Sequence, residues 1–204
     1  MTCGVALAAP IPSAAAAQCP DVELVFARGT SEPPGIGRVG QAFADALQSQ
    51  IGGHTLDTYA VNYPASYDFL TTADGATDAG THIATISQAC PSTRIVLGGY
   101  SQGAAVVDML GGVPPLGDKI GEVGSAPPLS PNIANKVAAV AVFGNPATKF
   151  GNPLSGSPLF GARAIDLCNA GDPICSPGRN PFAHTSYETT SYPGQAASFV
   201  AGLV

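Results

Sequence analysis

The sequence predicts an α/β protein built on one parallel β-sheet with helices on both faces. Three observations carry this reading. Short apolar runs alternate along the chain with segments of helical periodicity. The runs Ile95-Val96-Leu97 and Val137 to Phe143 are apolar throughout, the pattern of strands buried on both faces. The 204 residues suffice for one sizeable core, and they show no linker and no internal repeat.

The elements follow in order. Val22 to Ala27 is the first apolar run, and Arg28-Gly29-Thr30-Ser31-Glu32-Pro33-Pro34-Gly35 is a polar turn after it. Ile36, Val39, Phe43, Leu47 and Ile51 are spaced by three or four, a helical stripe closed by Gly52-Gly53. Leu56 to Tyr63 is a second strand, stopped by Pro64. Thr71 to Ala89 is a helix with a face of small residues, and Thr93 to Tyr100 is the third strand. Gln102 to Leu110 is a helix, and residues 111–136, rich in Pro, Gly and Ser, form a loop with short helical pieces. Val137 to Phe143 and Ala162 to Leu167 complete the strands, and Gln195 to Leu203 is a final helix.

Composition excludes several classes. Only 11% of residues are charged and 45% are hydrophobic, the reverse of a disordered chain. With eight Lys and Arg and a net charge of -6, there is no electrostatic footprint for nucleic acid. After residue 20 no stretch is apolar for the length a membrane span needs, so no stable membrane insertion is expected. Residues 1–17 differ from the rest: they are mostly Ala, Val, Leu, Ile and Pro and end in four alanines. We read them as the remnant of a secretory signal, although no Lys or Arg precedes Arg28; the alternative is an Ala/Pro tail. Residues 18–204 are then one catalytic domain. Beyond Cys3, the cysteines are Cys19, Cys90, Cys168 and Cys175. They lack the spacing of a zinc site, no metal is expected, and an even set suits an oxidising compartment. Three pairings are open. Cys168 and Cys175 bracket a short loop compatible with a local bridge, which would leave Cys19 and Cys90 to close a loop worth roughly 4 kcal/mol.

Gly99-Tyr100-Ser101-Gln102-Gly103 matches G-x-S-x-G, a weak pattern by itself in a chain with 25 glycines. Its setting strengthens it, because it follows a buried strand and opens a helix, the context of a nucleophile elbow. A serine nucleophile needs a base. Of the three histidines, His54 follows a glycine turn and His82 lies inside a helix before Ser101, whereas His184 follows the last strand. The chain order serine, acid, histidine selects His184. The acids between the two are Asp108, Asp118, Glu122, Asp166 and Asp172. Asp108 lies two turns along the helix leading away from the serine and is placed at the surface. Asp118 and Glu122 belong to the polar loop, and Asp166 sits within the last strand. Asp172, on the loop that leaves that strand, is the candidate that orients the imidazole. The oxyanion hole needs preorganised donors. The Gln102 N–H is one, and the Thr30 N–H, with its hydroxyl, is the choice for the second. The competing reading of that turn is a surface pair of Arg28 and Glu32. Leu70, Val113, Leu116, Ile174 and Phe182 are candidates for the cleft wall, with core packing as the default for each.

Taken together, Ala27-Arg28-Gly29-Thr30-Ser31-Glu32, Gly98 to Gly103, Val61-Asn62-Tyr63-Pro64-Ala65, Cys168 to Cys175 and Ala183-His184 resemble the cutinase family of serine esterases, above all its actinobacterial and mycobacterial members. The resemblance implies a three-layer α/β/α sandwich on a five-stranded parallel sheet, with Ser101, Asp172 and His184 as catalytic triad and Thr30 and Gln102 as oxyanion hole. It also implies the bridges Cys19–Cys90 and Cys168–Cys175, and hydrolysis of carboxylic esters without a cofactor. Fungal members commonly carry Ser where this chain has Thr30. The expectation is a secreted, monomeric esterase or lipase for short- to medium-chain acyl esters, in the extracellular space or at the cell wall. The rivals are an acetylxylan-type deacetylase on the same fold and an inactive secreted relative that acts by binding.

Overall fold

A computed structural model describes residues 19–117 and 123–204. The signal-remnant reading of residues 1–17, and the candidates Asp118 and Glu122, fall outside those residues. Five strands, β1 (Val22–Ala27), β2 (Leu56–Ala60), β3 (Arg94–Tyr100), β4 (Val137–Phe143) and β5 (Ala164–Leu167), form one sheet in the order β2-β1-β3-β4-β5. All four pairings are parallel. The helices are α1 (Gly37–Gln48), α2 (Thr72–Ala89), α3 (Gln102–Leu110), the short α4 (Pro131–Ala134), α5 (Pro146–Lys149) and α6 (Pro181–His184), and α7 (Tyr192–Ala201).

Alternate residues of each strand point to opposite faces, so two cores form. Val25, Ala27, Ile95, Leu97, Val140 and Val142 pack against α2 and α3. Leu24, Phe26, Val96, Ala141 and Phe143 pack against α1 and α7. This is the three-layer architecture expected from the sequence. Phe26, Phe43 and Phe143 meet in tilted and edge-on contacts at the centre of the second core.

Three boundaries moved for physical reasons. β2 ends at Ala60 rather than Tyr63, because the Arg28 guanidinium, not a neighbouring strand, takes the carbonyls of Val61 and Tyr63. α7 starts at Tyr192 rather than Gln195: Pro193 sits in its first turn, where a missing N–H costs no intrahelical bond. The last strand starts at Ala164, because Gly161–Arg163 form a 3₁₀ turn. Cys19–Cys90 ties the start of β1 to the end of α2, and Cys168–Cys175 closes the loop after β5.

Candidate active site

Ser101 lies between the C-terminal end of β3 and the first residue of α3. Its backbone has φ 55° and ψ -115°, in the positive-φ region where a side-chain-bearing residue is strained. The strain is held from both sides: the Ser101 N–H donates to the Phe143 carbonyl of β4 at 2.9 Å, and its own carbonyl accepts from Ala104. Gly103 makes the turn possible. A Cβ there would stand 1.9 Å from the Ala27 carbonyl oxygen, so any side chain would push α3 off β1.

His184 closes α6, and its imidazole spans the gap between serine and acid. Nε2 lies 2.8 Å from Ser101 Oγ, and Nδ1 lies 2.8 Å from Asp172 Oδ2. An Nδ1–H that donates to the carboxylate leaves Nε2 free to accept from the serine hydroxyl. The backbone is as constrained as the side chains. Gly144 has φ +58°, and a Cβ on it would approach His184 Cε1 to 2.9 Å, so only glycine fits behind the imidazole. Tyr100 stacks on the ring at 5.2 Å and donates its hydroxyl to the His184 carbonyl at 2.6 Å.

Asp172 is fully buried. Burial alone would push its carboxyl up, but hydrogen bonds from His184, the Ile174 N–H and the Tyr187 hydroxyl outweigh it and hold the group below its ordinary value. Its loop is fixed by the Cys168–Cys175 bridge and by the Asp172 N–H donating to the Asn169 carbonyl at 3.0 Å.

The loop after β1 is held by an unexpected set of hydrogen bonds. Arg28 is buried rather than paired at the surface with the Glu32 carboxylate. Its guanidinium donates to the carbonyls of Glu32, Val61, Tyr63 and Pro64 and lies over the Tyr63 ring. The Glu32 carboxylate instead accepts from the backbone N–H groups of Gly29 and Arg38. Thr30 is thereby set beside Gln102: its hydroxyl donates to Gln102 Oε1 at 2.9 Å, and Gln102 Nε2 donates to Thr72 Oγ1 at 3.0 Å. The Thr30 hydroxyl hydrogen is therefore engaged by Gln102. The Gln102 N–H opens α3 and has no acceptor within the helix.

Ser101, His184, Thr30 and Gln102 share a cleft of about 410 Å³ with Tyr67, Phe69, Ala105, Leu116, Val123 and Ile174. A larger groove of about 840 Å³ runs along α2, but no acid, base or charged side chain lines it. Among the described residues no cluster of His, Cys, Asp and Glu could hold a metal ion.

The other candidates fall elsewhere. Asp166 is structural: it accepts from the backbone of Leu154 and Ser155 and from the Asn145 side chain. Asp108 is not at the surface but has no exposed area, because α3 is covered all round. His54 is exposed near Asp21. His82 pairs with buried Glu23 at 2.7 Å and stacks on Tyr59. Leu116 and Ile174 line the cleft and Val113 is core, but Leu70 and Phe182 are exposed, against the packing default. The sequence reading passed over Tyr67, Phe69, Tyr100 and Tyr187. Tyr67, Phe69 and Tyr187 lie outside any periodic segment and Tyr100 ends an apolar strand, so none carries a signal that separates a site from a core.

Comparison with known proteins places the chain in a family. The chain matches the Cutinase family over residues 18–204. Phospholipase Culp4 of Mycobacterium tuberculosis is 51% identical over 191 residues, covering 93% of this chain and 81% of that protein. A Trichoderma reesei cutinase, solved with a phosphonate inhibitor, is 34% identical with a TM-score of 0.72, covering 91% of this chain and 77% of that one. An acetylxylan esterase structure is 29% identical with a TM-score of 0.76, covering 91% and 99%. A five-stranded parallel sheet, a serine at its elbow and a family match over nearly the whole described chain lead to one assignment: this protein is a carboxylic ester hydrolase and belongs to the cutinase family.

Proposed function

We propose that the protein is a secreted esterase that cleaves short- to medium-chain acyl esters through an acyl-serine intermediate. The observation that carries this is the line Ser101, His184, Asp172, joined at 2.8 Å and 2.8 Å with the acid buried. His184 takes the Ser101 proton as Oγ attacks the ester carbonyl. Asp172 orients the imidazole and offsets its charge without taking the proton. The oxyanion is held by the Gln102 N–H and the Thr30 N–H, the donor left to that residue by the engagement of its hydroxyl. The alcohol leaves with the proton from His184, and water repeats the sequence to free the acid. The aromatic and aliphatic cleft lining supports an acyl chain as the recognised group. The relative named a phospholipase supports a lipid ester. Two disulfides support an oxidising compartment outside the cytoplasm. The protein acts as a monomer in this reading, without a cofactor.

The test is hydrolysis of p-nitrophenyl esters from acetate to palmitate by the wild type and Ser101→Ala. The expected result is an optimum at short to medium acyl chains and a loss of at least about a thousandfold in the variant. Activity confined to acetate, together with release of acetate from acetylated xylan, would favour the deacetylase reading, which the likeness to an acetylxylan esterase supports. A wild type inert on every ester and unlabelled by a fluorophosphonate would leave the binding relative.

A further inference from the structure

Tyr187 has no part in the proton path above, yet among the described residues it is the largest side chain with no exposed surface. Its hydroxyl sits between two groups. The Asn169 N–H lies 2.8 Å from the phenol oxygen, and Asp172 Oδ2 lies 2.8 Å from it. The backbone N–H can only donate, so the single phenol proton points to the carboxylate. The oxygen it meets is the same Oδ2 that accepts from His184 Nδ1. Asn169 belongs to the loop closed by Cys168–Cys175, and the Cys175 sulfur lies 3.5 Å from the phenol oxygen.

We propose that Tyr187 is a positioning residue of this esterase: its hydroxyl locks Asp172 Oδ2 to the disulfide loop and shares that oxygen's charge with His184, so it sets both the turnover and the pH range of the site. The inference rests on the assignment of Ser101, Asp172 and His184 given above.

The groups around the pair come from every neighbouring element. The Asp172 side chain accepts from His184 at the end of α6, from Tyr187 in the 3₁₀ turn Tyr187–Thr189 and from the Ile174 N–H of its own loop. Tyr100 at the end of β3 faces His184, and Tyr192 at the start of α7 faces Tyr187 at 5.7 Å. The charges of Glu32, Asp172, Arg38 and Glu188 act on Tyr100. Among the described residues His184 is thus the one ionisable partner, apart from the phenol, that bonds the carboxylate. Burial first, and then the hydrogen bond to Asp172 and its charge, hold the Tyr187 phenol far above its ordinary value; the Asn169 N–H opposes them but does not prevail. The phenol therefore stays a donor throughout the working pH range.

The direction of the effect follows. A carboxylate that loses the phenol places more of its charge on His184 and binds the imidazolium more tightly. The imidazole then needs a higher pH to serve as base. Tyr187→Phe keeps the ring, which packs against Tyr100, Phe143 and Tyr192, and deletes only the hydroxyl. The expected result is a fall in kcat of about tenfold with KM held within about twofold, and an acid limb of kcat/KM moved up by about half a pH unit. An unmoved limb and a kcat within about twofold of wild type overturn the proposal, whatever happens to the melting temperature. Should Tyr187→Phe fail to fold, fluorotyrosine placed at position 187 decides. A stronger phenol donor must move the limb down, and an unmoved limb overturns the proposal. Ser101→Ala, assayed alongside, separates the two levels: activity surviving in that variant removes the site assignment, while a dead Ser101→Ala beside an unaffected Tyr187→Phe removes only the role of Tyr187.

Discussion

Asp108 stands seven residues after Ser101 on α3, with no exposed surface and with its Oδ2 atom unpartnered. Its Oδ1 accepts from Asn145 Nδ2 at 2.9 Å, and the same amide donates to Asp166. Burial pushes the Asp108 carboxyl well above its ordinary value; the Asn145 bond works against this and the Asp166 charge adds to it. A group raised in this way holds its proton more firmly in the native state than in the unfolded chain. The resulting stability is full below the unfolded value of about 3.9 and is lost as pH rises towards the folded one. Asp108→Asn removes the titration while keeping the shape and the acceptor. Its melting temperature relative to wild type is expected to be nearly equal at pH 4 and several degrees higher at pH 8, measured by calorimetry. A difference that did not grow with pH would show that Asp108 is ionised in the native state. The residue also marks a limit of sequence reading. Helical position puts Asp108 away from the serine, but position cannot tell a helix with one wet face from one covered all round, and every residue of α3 is buried.

The loop from β5 to α6 brings acid and histidine to the serine, and its order comes from cross-links rather than from regular structure. Cys19–Cys90 has a sequence separation of 71 and Cys168–Cys175 one of 7. On loop-closure entropy the first stabilises by about 4 kcal/mol and the second by about 2.5 kcal/mol. Function is expected to rank them the other way, because only the second encloses Asp172. Replacing Cys168 and Cys175 with Ser should cost less in unfolding free energy than replacing Cys19 and Cys90, yet lower kcat by about tenfold or more. Denaturant melts and esterase assays on the two double variants check the crossover; a single ranking for both quantities would mean that the short bridge only stabilises. The same contrast explains what was legible. β1, α3 and β4 match the sequence reading residue for residue, because their burial is continuous and their ends carry Gly or polar residues. The elbow serine, the late histidine and the acid of the loop were legible through motif context and chain order. The Arg28 network was not. A buried guanidinium that collects carbonyls from residues 61–64 depends on contacts more than thirty residues apart, and nothing local announces it.

On the scale of the whole molecule, the parallel sheet gathers the elbow, the loop after β1 and the loop after β5 at the C-terminal ends of the strands, where open α/β sheets bind ligands. The charged share of the chain is only 11%, and among the described residues the exposed large apolar side chains are few: Tyr67, Phe69, Leu70, Phe150, Ile174 and Phe182. Three of these, Tyr67, Phe69 and Ile174, line the cleft beside Ser101. Tyr67 is 78% exposed and meets Phe69 edge-on at 6.2 Å, so packing within the fold does not account for this aromatic pair. Their placement suits an acyl chain leaving the serine along the cleft wall. Each methylene removed from water is worth about 0.8 kcal/mol, so loss of the contact for two of them is about 1.6 kcal/mol, or about fifteenfold in kcat/KM. An acetyl group is too short to reach such a contact. Replacing Tyr67 and Phe69 together with Ser is therefore expected to lower kcat/KM on p-nitrophenyl octanoate by about tenfold or more and on the acetate ester by less than about threefold. An equal fall on both esters would instead tie the pair to the shape of the cleft at Ser101. The apolar wall would then cease to argue for chain recognition, and the weight would move to the acetyl-specific reading.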